Sequence, residues 1–233
     1  MALELNAELT MQSTAELITE YARITTAADD SGLLFMRTHR SIETVAATSP
    51  RVIELHQQQD DIEEGPGLAA LHDETSYLVV DTETDQRFPS WGPRAAKLGI
   101  RSALSIRLES ITRTYGTLNL YGEAVGAFGQ TDLTIGQNFA RHASIALSSA
   151  YVKEGLQIAI DARTFVGQAQ GILMGRYGIS AERAFEYLRR RSQQENVKLG
   201  DIAHEVIEKI PDGPVEAVPD GPVDPTPDGP AVP

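Results

Sequence analysis

Cysteine is absent from all 233 residues. That absence excludes thiol catalysis, cysteine-ligated zinc, disulfide stapling and thiol-based redox switching. Long apolar runs are missing as well: no stretch approaches the roughly 18 residues a membrane helix needs, and the opening MALELNAELT lacks the basic and apolar regions of a signal peptide. The expected location is the cytoplasm, with no membrane partner. Catalytic signatures are equally scarce, since the chain has neither a Gly-x-Ser-x-Gly elbow nor a phosphate-cradling P-loop. Gly65-x-Gly67-x-x-Ala70 fits a relaxed dinucleotide fingerprint, but an acidic loop from Asp60 to Glu64 stands where the required strand should be. His204, Glu205 and Glu208 have no second histidine at the spacing of a zinc helix. No reaction, no metal and no cofactor are expected.

Positive charge is lacking overall, with a net charge of -13, which at first sight disfavours a phosphate-rich partner. The deficit is unevenly spread. Residues 1–156 carry 12 basic and 21 acidic side chains, residues 157–210 carry 8 and 7, and residues 211–233 carry none and 5. Screening over about 8 Å at physiological salt lets a local basic face act with little interference from distant acidic surface. The final segment repeats Pro-Asp-Gly-Pro at 211, 219 and 227 and holds 8 prolines and 3 glycines. Such a composition cannot bury a core, so 211–233 is expected to be an extended, disordered acidic tail.

What is present begins with an amphipathic helix from about Leu9 to Ile24, with Met11, Ala15, Ile18 and Ala22 on one side. Two strand-like runs, Gly32 to Thr38 and Ile42 to Thr48, are separated by a polar turn and predict a hairpin. After the acidic loop come Gly65-Pro66-Gly67 and a helical turn, a strand from Tyr77 to Val80, and a short helix ending near Gly99. Ile100 to Leu108 and Tyr115 to Tyr121 alternate as two further strands. A long helix starts near Asp132, so the expected arrangement is an antiparallel sheet with helices on one side. The series Glu64-Gly65-Pro66-Gly67-Leu68, Asp81, Arg87-Phe88-Pro89, Leu98-Gly99-Ile100-Arg101-Ser102, Gly116 to Tyr121 and Ala127-Phe128 resembles a GAF domain, of the kind that precedes ANTAR domains in actinobacterial regulators. The resemblance implies a sensor with an unidentified small-molecule ligand, and often a dimer. Many members carry Cys where this chain has Gly67, which rules out thiol sensing or chromophore attachment there. The cyclic-nucleotide signature is met at Phe128 and Asp132 but not at Leu133.

From Ile135 to Met174 the pattern is helical with hardly a break, which predicts that the last sensor helix runs into the next domain. Three apolar stripes follow. Ala162, Phe165, Val166, Ala169, Ile172 and Leu173 share one face; Ala181, Ala184, Phe185 and Leu188 share a second; Leu199, Ile202, Ala203, Val206 and Ile210 share a third. Gly178 supplies a left-handed stop, Ser180 a cap, and Asn196 a cap for the last helix. Gln168-Ala169, Gly171 to Met174, Ala184-Phe185, Leu188-Arg189, Leu199 and Ile202-Ala203 closely resemble the ANTAR domain, a three-helix RNA-binding module of transcription antitermination regulators. Members commonly carry Lys at Gln170 and a charged residue at Gly175. The resemblance implies binding to paired RNA hairpins that overlap a terminator.

The chain thus reads as an α+β protein. A GAF-like antiparallel sheet with helices spans 12–150, and a long connecting helix leads into an ANTAR-like three-helix bundle over 151–210, before the tail. On the second bundle helix, Arg183, Tyr187 and Arg190 fall together opposite the apolar stripe, with Arg189 and Arg191 at its edges. Two guanidinium groups around an aromatic suit phosphate contact plus base stacking; spacing alone favours an ordinary solvated face with Glu186 paired to Arg190, and the ANTAR resemblance reverses that preference. Arg163, Gln168, Arg176 and Lys198 are further RNA candidates. Leu156, Ile160 and Gly167, with Arg163 and Met174, lie opposite the bundle stripe and predict a homodimer seam. A second apolar face, Ile135, Phe139, Ala143, Ala146 and Ala150, can serve a seam or pack on the sensor sheet. An adaptor that senses a ligand, binds proteins and has lost RNA affinity remains the alternative function.

Overall fold

A computed structural model describes residues 10–38, 41–73, 76–111 and 113–209. It divides into two compact units, 1–155 and 156–233. The division falls five residues beyond the expected end of the sensor, and the acidic tail lies outside the described residues.

The first unit opens with helix α1 (Met11–Thr25), whose first turn is closed by Thr10 Oγ1 accepting the Ser13 N–H. Strands β1 (Asp30–Thr38) and β2 (Ser41–Ala47) form the expected antiparallel hairpin. Helices α2 (Pro50–Asp61) and α3 (Pro66–His72) follow, each with proline in its first turn, where the missing N–H has no helical partner to lose. Strand β3 (Tyr77–Val79), helix α4 (Trp91–Lys97), and strands β4 (Ser102–Glu109) and β5 (Thr114–Gly122) complete a five-stranded antiparallel sheet of order β2-β1-β5-β4-β3.

Helices cover both faces of that sheet, not one. On the first face, Leu33, Phe35, Leu104, Ile106, Leu118 and Leu120 meet Ile18 of α1 and Phe139, Ala143 and Leu147 of helix α5 (Gln130–Tyr177). On the second, Ala103 and Tyr121 meet Val52 and Leu55 of α2 and Trp91 of α4. Strand burial records the difference, because Ser102 to Ile106 and Tyr115 to Gly122 are buried without interruption. Strands sandwiched between two helical layers bury both sets of alternating side chains. The acidic stretch from Asp60 is accordingly not a loop throughout: Asp60 and Asp61 end α2, and only Ile62 to Glu64 turn. Phe139, Ala143 and Ala150 are buried against the sheet, so that face of α5 is core, while Ile135 is 37% exposed.

α5 runs unbroken for 48 residues, as the helical pattern predicted. Its residues from Leu156 onward belong to the second unit, together with α6 (Ala181–Glu195) and α7 (Leu199–Glu208). Gly178 takes φ 63° at the α5 stop, and Ser180 accepts the Arg183 N–H as the α6 cap. Asn196 does not cap α7. It closes α6 in a left-handed conformation at φ 53°, and Lys198 occupies the α7 N-cap without a side-chain bond. Among the described residues no helix is long and apolar enough to cross a membrane.

Candidate nucleic-acid interface and sensor pocket

The second unit is held by six buried side chains, Ala169, Leu173, Ala184, Leu188, Ile202 and Ala203. α7 approaches α5 closely at Gly200, where an added Cβ would lie 3.0 Å from the Ala162 Cβ. Gln170, the position at which ANTAR members commonly carry Lys, donates from Nε2 to the Ala181 carbonyl at 3.1 Å and ties α5 to the first turn of α6. His204 stands edge-on to Phe165, with ring centroids 5.0 Å apart. Ile210, assigned to the third stripe, lies outside the described residues.

Two aromatics on α6 exchange the positions expected of them. Tyr187 is half-buried and packs on the bundle core, whereas Phe185 is 38% exposed. The physical reason is the direction from which α5 and α7 approach, which a helical wheel cannot supply. Arg183 and Arg190 remain together on one flank, about 20° apart at 100° per residue, and both are exposed, as is Arg189 on another flank. Arg189 and Arg190 have no ion-pair partner among the described residues.

Arg191 is different. Its Nε donates to Glu195 Oε1 at 2.6 Å and its Nη2 to Glu205 Oε2 at 2.7 Å, so it braces α6 against α7. Those two carboxylates, the Glu195 hydrogen bond foremost, raise the guanidinium's pKa. Lys209 and then Arg191 hold the Glu205 carboxyl below its ordinary value. Arg191 therefore leaves the set of groups offered to a phosphate. Arg163, Gln168 and Lys198 are exposed and Arg176 is half-buried. The expected pairing of Glu186 with Arg190 is not formed.

The seam residues are open to solvent. Leu156 and Ile160 are 61% and 58% exposed, and an added Cβ on Gly167 would meet nothing within 4 Å. Ile158, at 62%, adds to the apolar surface of this stretch. Two exposed aliphatics that sequence reasoning passed over, Ile145 at 69% and Val152 at 54%, belong to α5 within the sensor unit. Their sevenfold spacing was the available signal.

In the sensor unit a cavity of about 250 Å³ opens between the hairpin and α2, lined by Leu34, Ile42, Thr44, Ile53, His56 and Leu68 among others. Part of its wall is polar and hydrogen-bonded inward. The Thr44 hydroxyl lies 3.0 Å from His56 Nδ1, and His56 Nε2 lies 2.9 Å from the Tyr121 hydroxyl. Behind them Gln59 Oε1 accepts the Gly67 N–H, and Ser105 donates to Asn119 Oδ1 at 2.7 Å. A Cβ at Gly67 would sit 2.8 Å from Asn119 Oδ1, which explains why this chain has no side chain at the position many GAF members give to cysteine.

Burial holds the His56 pKa down to about 3. Below the free imidazole value near 6.5, an unfolded chain takes up a proton that the folded one refuses. Stability should then fall as pH drops from 6.5 toward 3, by about 1.4 kcal/mol per unit and about 2 kcal/mol by pH 5. Urea unfolding followed through Trp91, the one tryptophan and a member of the same buried layer, measures this. His56→Gln should flatten that acid limb, and an unchanged slope would assign it to other groups.

Comparison with known proteins agrees with this division. The model of the GAF domain matches residues 8–148 and that of the ANTAR domain residues 154–207. No curated protein matches the chain. Among solved structures it is similar to the GAF domain of a phosphoenolpyruvate-protein phosphotransferase from Coxiella burnetii, at 16% identity over 66% of this chain and 91% of that one, TM-score 0.51. It is also similar to free methionine-R-sulfoxide reductase from Neisseria meningitidis, at 13% identity over 65% and 86%, TM-score 0.52. A third is a GAF domain from Synechocystis in its photoproduct state, at 15% identity over 64% and 99%, TM-score 0.51. At such identities the likeness extends to the fold alone.

Proposed function

We propose, because the chain belongs to the GAF family and carries an ANTAR domain behind its GAF domain, that it is a signal-dependent, RNA-binding transcription antitermination regulator. A sensor domain followed by this output domain makes it a signalling regulator. The finer reading rests on one observation, the exposed guanidinium groups of Arg183, Arg189 and Arg190 on α6 of the ANTAR-matched unit. Neutralising hairpin phosphates there, with Arg163, Gln168, Arg176 and Lys198 as outlying contacts, would favour the antiterminated form of a transcript leader. A second copy of the chain covers Leu156, Ile160 and Gly167, since aliphatics exposed in this way call for a partner. The cavity beside His56 takes the small-molecule input. The protein acts without catalysing a reaction, in the cytoplasm where transcripts are made.

Fluorescence anisotropy with a labelled leader RNA that folds into two hairpins tests the reading. The parent protein should bind it at least tenfold more tightly than an RNA of equal length with both hairpins scrambled. Equal affinity for the two would remove antitermination. It would favour the adaptor reading, for which Gln170 speaks: its side chain is engaged with Ala181 and presents no charge to a phosphate.

A further inference from the structure

On the RNA-binding reading above, the exchange of the two α6 aromatics has a functional side. Phe185 lies one residue from Ala184 and three from Leu188, both fully buried, yet 38% of it faces solvent. Tyr187 is spent on the bundle core. We propose that Phe185 is the platform on which an unpaired base of the hairpin loop stacks, with the adjoining phosphate held by Arg189.

Three features of α6 point to a base as the occupant. Arg189 is one turn beyond Phe185, where i and i+4 side chains are neighbours on a helix surface, and its guanidinium is exposed with no ion-pair partner among the described residues. Glu182, one turn before Phe185, is kept ionised below its ordinary carboxylate value by backbone N–H and Ser180 hydrogen bonds, so a phosphate is repelled from that end and drawn to the arginine end. The ring, moreover, is the one large apolar side chain that α6 exposes: of its neighbours one turn away, Glu182 and Arg189 are exposed and charged, Leu188 is buried and Ala181 is small and half-buried. A protein partner buries a contiguous apolar patch, whereas a base needs only one ring face and a nearby cation.

The test uses the full chain and the two-hairpin leader. Phe185→Leu keeps the apolar bulk but removes the π-face, and should weaken binding about five- to a hundredfold while leaving the salt slope as in the parent. Phe185→Trp should bind within about threefold of the parent. Arg189→Gln should lower the salt slope by about 0.7 to 0.9, and Tyr187→Phe should change neither quantity. Parent-like binding by Phe185→Leu overturns the assignment. So does a Trp variant as defective as the Leu variant, which would make the ring structural. Intact RNA binding with altered sedimentation would instead make it a contact between copies. The parent's own preference for hairpin over scrambled RNA reports on the RNA reading, and the ratio of variant to parent affinity reports on Phe185.

Discussion

Ile160→Asp should leave the protein monomeric in sedimentation velocity at concentrations where the parent, if a second copy covers this face of α5 as proposed, sediments as a dimer. Ile160 is 58% exposed within its own chain, so the carboxylate meets water in the monomer and costs the fold little. In a two-fold symmetric seam each substitution appears twice, and two carboxylates would lose hydration without a cationic partner. Each uncompensated buried charge costs several kcal/mol, more than a helix-to-helix seam of this kind can absorb. Helix content should remain that of the parent. A variant that stays dimeric with the parent's concentration dependence would move the seam elsewhere, with Ile145 and Val152 on the sensor part of α5 the next positions to change.

Changing Arg183, Arg189 and Arg190 together to Ala should weaken hairpin binding about a hundredfold near 0.15 M salt. All three are exposed on α6, and Ala is the best helix former, so the bundle should persist. Each arginine that neutralises a phosphate contributes roughly 0.7 to 0.9 to the dependence of log affinity on log salt. Losing three should therefore reduce that slope by about 2, a change that partial unfolding would not imitate with helicity and sedimentation unaltered. Arg191 stays in place because its guanidinium joins Glu195 to Glu205, and its loss would confuse binding with stability. A triple variant that retains both parent affinity and parent slope would take this helix out of the interface and leave Arg163, Gln168, Arg176 and Lys198.

The order of elements and the pairing of sensor with output were legible from residue patterns, and so were local stops such as Gly178 and Ser180. The second helical layer of the sensor was not. α2 reads PRVIELHQQQDD, and its buried face includes His56 and Gln59 beside Val52 and Leu55, so an apolar count misses it. Ser49 followed by Pro50 was the overlooked start signal. On α6 the ambiguity is geometric. Taken from the bisector of Ala184 and Leu188, Phe185 and Tyr187 sit at about 80° on opposite sides, and nothing in a wheel chooses between them. Arg191 lies nearer that bisector than either, which hydropathy hides because its charge is met by carboxylates from two helices.

The output bundle has a slender interior: of its six buried side chains, three are alanine. Alanine offers little area to remove from water, so the bundle should open at a lower temperature than the two-layered sensor. If only the closed bundle holds RNA, apparent affinity is divided by the closed fraction, and bound RNA in turn draws the bundle shut. Warming would then loosen the grip on a transcript while the sensor sheet is still intact, giving the regulator a thermal response that needs no ligand at all.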